Sequence, residues 1–161
     1  MPDIADCVIE DARWDGCNLA VIAERATRAA LAICALQGED WEAAILACDD
    51  ARIATLNGDF RGKPVATNVL SWPAQALAPS APGEEPLPPE GPELGDIAIA
   101  FETCEGEARD QGIEFAAHVA HLIVHAVLHL LGYDHIEDAD ATVMEGLEIK
   151  ALASMGIQNP Y

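Results

Sequence analysis

Apolar residues recur along this chain in two periods. From Leu19 to Leu36 they come at steps of three and four, at Leu19, Ile22, Ala26, Ala29, Ala30 and Ile33. That spacing predicts an amphipathic helix, with Gly38 as its stop. Four short segments read instead as strands: 4–11, 41–50, 65–73 (closed by Pro73) and 93–102. After the second strand, Asp49 or Asp50 is placed to cap a short helix running through Leu56. NGDFRGKP (57–64), with two glycines and a proline, then reads as a loop. A long helix is predicted from about Glu107 to Leu131, stopped by Gly132. A last helix spans Asp138 to Ser154, with Asp138 and Asp140 near its positive end. Residues 73–92 hold seven prolines and read as a mobile surface excursion. No internal repeat is visible. Strands and helices mix without strict alternation, so the pattern predicts one layered domain over residues 1–161, α+β or α/β.

Composition changes this picture little, and charge changes it more. Hydrophobic residues make up 51% of the 161, enough for a folded core. Apolar runs are broken before membrane-spanning length, so no membrane segment is expected. Acids stand near the N-terminus where a signal peptide would carry Lys or Arg, which points to the cytoplasm. Five dispersed cysteines (7, 17, 34, 48, 104) fit buried thiols in a reducing compartment. Twenty-eight acids against eight bases give a net charge of −20, a long-range penalty against phosphate polymers. Six of the eight bases precede residue 64, so they either form a local basic patch or pair with neighbouring acids.

All five histidines fall between His118 and His135. His125 and His129, four apart on a helix, lie on one face a turn apart, where two imidazoles can grip one ion. His121 extends the row, but the rise of about 5.4 Å per turn keeps one ion from reaching all three. Gly132 lets the chain reverse and bring His135 back instead. The spacing HxxxHxxGxxH is the metzincin zinc pattern with Ala126 in place of the Glu that serves as general base. Three imidazoles suit Zn²⁺, with other divalent transition metals as alternatives, and leave a fourth position for water. His118 and His121 are expected in packing or in support of the ligands. Asp134 has two readings: orienting a histidine or accepting a proton, and forming the turn before the last helix.

HAVLHLLGYDH (125–135) resembles the YbeY family of bacterial single-strand endoribonucleases, also called the rRNA maturation factor. LNGDFRGKPVATNVLSWP (56–73) and LGDIAIA (94–100) resemble two further blocks of that family, in the family's order, and the likeness covers about residues 40 to 150. The chain departs from the common pattern at Phe60, Trp72 and Ala126. The resemblance implies an α+β fold with a central mixed four-stranded sheet surrounded by helices, the metal site lying on the long helix and the turn after it. It implies zinc bound by His125, His129 and His135. Arg61 matches the family's functionally important arginine. A guanidinium there can clamp a phosphate oxygen, or else form a surface ion pair with a nearby acid such as Asp59. Asp134 stands beside the third ligand as a second catalytic candidate.

The implied activity is metal-dependent cleavage of single-stranded RNA, in 16S rRNA 3′-end maturation and ribosome quality control. The implied partners are rRNA, the small ribosomal subunit and its assembly factors, with neither DNA nor a membrane. Two other readings compete. One is a ribosome-assembly factor whose zinc is mainly structural. The other is a metallohydrolase of another substrate such as a peptide, against which Ala126 argues.

Overall fold

The computed structural model describes residues 3–36 and 40–161. Four strands, β1 (Ala5–Ile9), β2 (Glu42–Cys48), β3 (Val69–Pro73) and β4 (Glu93–Ala100), form one sheet in the order β1-β2-β4-β3. β1, β2 and β4 run parallel, and β3 is the antiparallel edge strand. The fold is α+β with a mixed sheet, as the sequence implies. Helices α1 (Leu19–Ile33), α4 (Phe115–Leu130) and α5 (Asp138–Ser154) build the larger core with one face. Helix α2 (Asp50–Arg61) covers the other, where Ile53 and Leu56 meet Cys48, Leu70, Ala98 and Ala100.

Several boundaries differ from the sequence reading. Helix α1 ends at Ile33, where Ala35 takes a left-handed turn at φ 58 and Leu36 N–H reaches the Leu31 carbonyl. The stop expected at Gly38 lies outside the described residues. Helix α2 runs on to Arg61, through what the sequence marks as a loop. Two contacts explain it. The buried Asn57 donates its amide to the Val65 carbonyl at 3.0 Å, and Gly58 makes room for Pro64. Tertiary packing thus overrides the poor helix propensity of glycine. The chain after Arg61 turns at Gly62, φ 71, and β3 begins only at Val69.

The long helix expected from Glu107 to Leu131 is two helices, α3 (Phe101–Gln111) and α4, bent by 116°. Gly112 at φ 68 ends the first. The corner is held by Trp14, wholly buried in a short 3₁₀ turn (Ala12–Cys17), with Phe101 at 5.3 Å and Phe115 at 5.6 Å between ring centres. Glu107 fastens the corner again, accepting from His118 at 2.9 Å and from Asn68 at 3.1 Å. No single helix among the described residues is long and apolar enough to cross a membrane.

The Pro-rich stretch is pinned and is not the free excursion the prolines suggest. The Gln75 side chain donates to the Gly91 and Glu93 carbonyls and accepts from Glu90 N–H. Leu77 is buried, and Gly83 N–H reaches the Asp140 carboxylate of α5 at 2.7 Å. Prolines forbid strand pairing, but they leave side chains and carbonyls free to dock the loop.

That loop closes on the turn after α4. Gly132 sits at φ +100, where a Cβ would lie 2.6 Å from the Leu77 carbonyl oxygen. Gly132→Ala is therefore expected to cost about 2 kcal/mol or more, read as a lowered thermal midpoint, because both the left-handed backbone and a backbone carbonyl resist it.

Candidate metal centre

Helix α4 is apolar nearly all round. Between His118 and Leu130 only His121, His125 and His129 escape full burial. This row of three, spaced every four residues, faces a cleft together with Leu122 and Ala126, while the other sides of α4 pack on α1, α5 and the sheet. The helix ends in a Schellman turn. Tyr133 N–H reaches back to the Leu128 carbonyl at 3.0 Å, with Gly132 in the left-handed position before it. The reversal carries His135 to the pair: its ring centre lies 5.2 Å from that of His125 and 5.1 Å from that of His129. One ring nitrogen from each of the three falls within 4.8 Å of the others. The structure thus brings the three predicted ligands together, and they could hold a metal ion.

Hydrogen bonds fix which nitrogens face inward. His129 Nδ1 lies 3.0 Å from the Tyr133 carbonyl, which only accepts, so this nitrogen carries the proton. His125 Nδ1 lies 2.8 Å from the Glu148 carboxylate and is likewise protonated. In the neutral imidazoles both Nε2 atoms are then lone pairs, and they face each other at 3.0 Å. A cation between them, whether a proton or a metal ion, relieves their repulsion. Tetrahedral zinc with nitrogen ligands at about 2.0–2.1 Å would hold them roughly 3.3 Å apart. The donor set and spacing fit a divalent transition metal.

Glu148, on α5, is the residue sequence reading missed. Its residue exposure is 0%, and its carboxylate accepts from His121 Nε2, His125 Nδ1 and, at 2.5 Å, the Tyr161 hydroxyl. Burial pushes the Glu148 carboxyl up, but the hydrogen bonds from His121, His125 and Tyr161 override it and hold the group down to about 2. A signal existed: Met144, Glu148, Ala151 and Leu152 form the buried stripe of α5, with a carboxylate among apolar neighbours. His121 supports His125 through Glu148, the supporting role expected of it. His118 packs against α3 instead.

Both catalytic candidates line the same cleft as the histidines, a space of about 1010 Å³ between α4, β3 and the Pro-rich loop. Arg61 enters it from the last turn of α2. It has no salt bridge among the described residues, so the pairing with Asp59 is not made. Arg13, Arg28 and Arg52, by contrast, are paired with carboxylates. Asp134 accepts from His135 N–H at 2.7 Å, which secures the turn beside the third imidazole. Ala126 lines the cleft as well, 1% exposed, so no carboxylate follows the first ligand.

A family model for Endoribonuclease YbeY matches residues 10–156 of this chain. The chain belongs to the YbeY family. Relatives carrying the name Endoribonuclease YbeY are close along the whole length. That of Ruegeria sp. (strain TM1040) is 55% identical, covering 98% of this chain and 96% of its own. That of Paracoccus denitrificans is 51% identical over the full chain and 91% of its own. A solution structure from Thermotoga maritima shares the fold at TM-score 0.58 and 17% identity, over 95% of this chain and 92% of that one. The YbeY assignment thus rests on sequence well beyond the histidine motif.

Two outcomes follow from the site. Glu148→Gln keeps the shape but loses the charge that orients His125. It is expected to weaken zinc binding by about 10–100-fold in chelator competition. Burial, together with the neighbouring His125 and His135, holds the His129 imidazole down to about 4 from the ordinary 6.5. The unfolded chain therefore takes up this proton first. Metal-free protein should lose stability as pH falls from 6.5 toward 4, and melting curves in chelator should show His129→Gln flattening that window.

Proposed function

We propose that this chain is a zinc-dependent endoribonuclease cutting single-stranded RNA, with residues 1–161 as one catalytic domain. Its substrate is the 3′ region of 16S rRNA, in maturation and in quality control of ribosomes. The small ribosomal subunit and its assembly factors are its partners, in the cytoplasm. One observation carries the reading: in a YbeY chain, an unpaired Arg61 shares one open cleft with three converging imidazoles.

The chemistry of phosphodiester hydrolysis suits these residues. A zinc ion held by His125, His129 and His135 supplies Lewis acidity at the scissile phosphate. Arg61 neutralises a non-bridging oxygen with a forked pair of N–H donors, a task for which its lack of an acidic partner leaves it free. Asp134 lies beside His135, with one carboxylate oxygen on the turn and the other available to take a proton from the attacking water. Glu148 keeps the His125 Nε2 lone pair aimed inward and stays out of the chemistry. Peptide hydrolysis is disfavoured because the usual base position holds Ala126. A purely structural zinc is disfavoured because structural sites close with four protein ligands, and the described residues bring three together.

Metal content and cleavage of a single-stranded RNA, measured together, test the reading. His129→Ala is expected to lose both metal and cleavage. Arg61→Ala is expected to keep its metal and cut roughly a hundredfold more slowly. Wild type that binds zinc yet never cuts RNA would make the site structural and the chain an assembly factor.

A further inference from the structure

β3 is the antiparallel edge strand of the sheet, and its two faces differ. Val69, Ser71 and Pro73 line the cleft, whereas Trp72 packs on the α2 side. There Phe60 meets Trp72 edge to face, with ring centres 5.5 Å apart. Phe60 is 65% exposed, an unusual place for a phenylalanine that closes no core. It directly precedes Arg61, which turns into the cleft, and the exposed Lys63 follows two residues later. Neither cation has a salt bridge among the described residues, in a chain of net charge −20. The nearby acids are Asp59, next in sequence, and Asp96, opposite Trp72 on β4 and exposed.

We propose that Phe60 and Trp72 form a stacking platform for a base of single-stranded RNA whose backbone is held at Arg61, the RNA strand crossing β3 from the cleft to the α2 face. This rests on the RNA-cleaving reading of the cleft. Stacking on an aromatic ring is tolerant of base identity, because every base has a π face. Arg61 and Lys63 take the phosphates, and Asp96 keeps them off the Trp72 side by repulsion. The platform is an exposed Phe60 ring braced edge-on by Trp72 and flanked by cations, which suits a nucleobase on a phosphate backbone. An apolar protein partner would need several hundred square ångströms of apolar surface per side. The platform also explains how so acidic a chain engages RNA: stacking supplies affinity that its overall charge withholds.

Tryptophan fluorescence reads this directly, since Trp14 is 0% and Trp41 8% exposed while Trp72 is the half-buried one on the α2 side. The probe is 2′-O-methyl oligouridylate bound to the zinc-loaded protein, with inorganic polyphosphate of equal charge as the comparison. The oligonucleotide is expected to quench Trp72, and polyphosphate is not. Phe60→Ala and Phe60→Leu should each weaken oligonucleotide binding roughly five- to twentyfold, leave polyphosphate binding unchanged, and raise KM for RNA cleavage at constant kcat. Phe60→Tyr should keep both oligonucleotide binding and KM near wild type. Phe60→Leu keeps the cover over Trp72, so its loss marks the ring rather than the fold. The platform is overturned if the Phe60 variants bind the oligonucleotide as wild type does, or lose polyphosphate binding in equal measure. If wild type cuts RNA and KM does not respond to Phe60, only the platform fails. If wild type neither binds nor cuts RNA, the cleavage reading fails with it.

Discussion

The carboxylate of Glu148 is the constraint on which the site depends. Burying an ionised carboxylate costs several kcal/mol unless its lone pairs are filled. Here His121, His125 and the Tyr161 hydroxyl fill them. The same contacts bind three parts of the chain: α4 through two histidines, α5 through Glu148 itself, and the residues after α5 through Tyr161. The consequence for chemistry is a tautomer. In the neutral His125 imidazole, donation from Nδ1 to Glu148 leaves Nε2 as a lone pair that faces His129 Nε2 at 3.0 Å, an arrangement suited to holding a cation.

The sheet sets the rest. β3 is the antiparallel edge strand beside three parallel ones, and the cleft opens along it. Helix α2 lies across the opposite face, yet its last residue, Arg61, reaches the cleft, and Gly62 at φ 71 ends the helix directly after it. The cleft's far wall is the Pro-rich loop, held by Gln75, Leu77 and the Gly83–Asp140 contact. Metal turn and loop touch at Gly132, so the position of His135 is coupled to loop packing.

The three converging histidines were legible in the sequence because their geometry is local. Four residues on a helix and a glycine reversal need no knowledge of the rest of the chain. Glu148 was not, because its partner lies 23 residues away and its meaning depends on which helix it packs against. The same distinction explains the boundary errors. Gly58 reads as a helix breaker until Pro64 is seen packed on it, and Gly112 reads as tolerable mid-helix until Trp14 is seen holding the corner with Phe101 and Phe115. Prolines spoke correctly against a strand in 73–92 but carried no information on docking, which runs through the Gln75 side chain and main-chain carbonyls. Arg61 was named from the family block. Its freedom from Asp59 is a structural fact that the sequence left open.

The acidic balance looks like an argument against RNA until the charges are placed. Arg13, Arg28 and Arg52 are absorbed by Asp11, Glu102, Glu24 and Glu10. What remains near the cleft is a short basic segment at the end of α2, set in a surface that repels phosphate elsewhere. Such a distribution gives weak, salt-sensitive attraction over one approach and repulsion over the others. An enzyme of this kind would not bind long RNA indiscriminately. On the proposed reading, base stacking and delivery by a larger assembly would decide which strand reaches the three imidazoles, and the same net charge that slows encounter would suppress uncontrolled cutting.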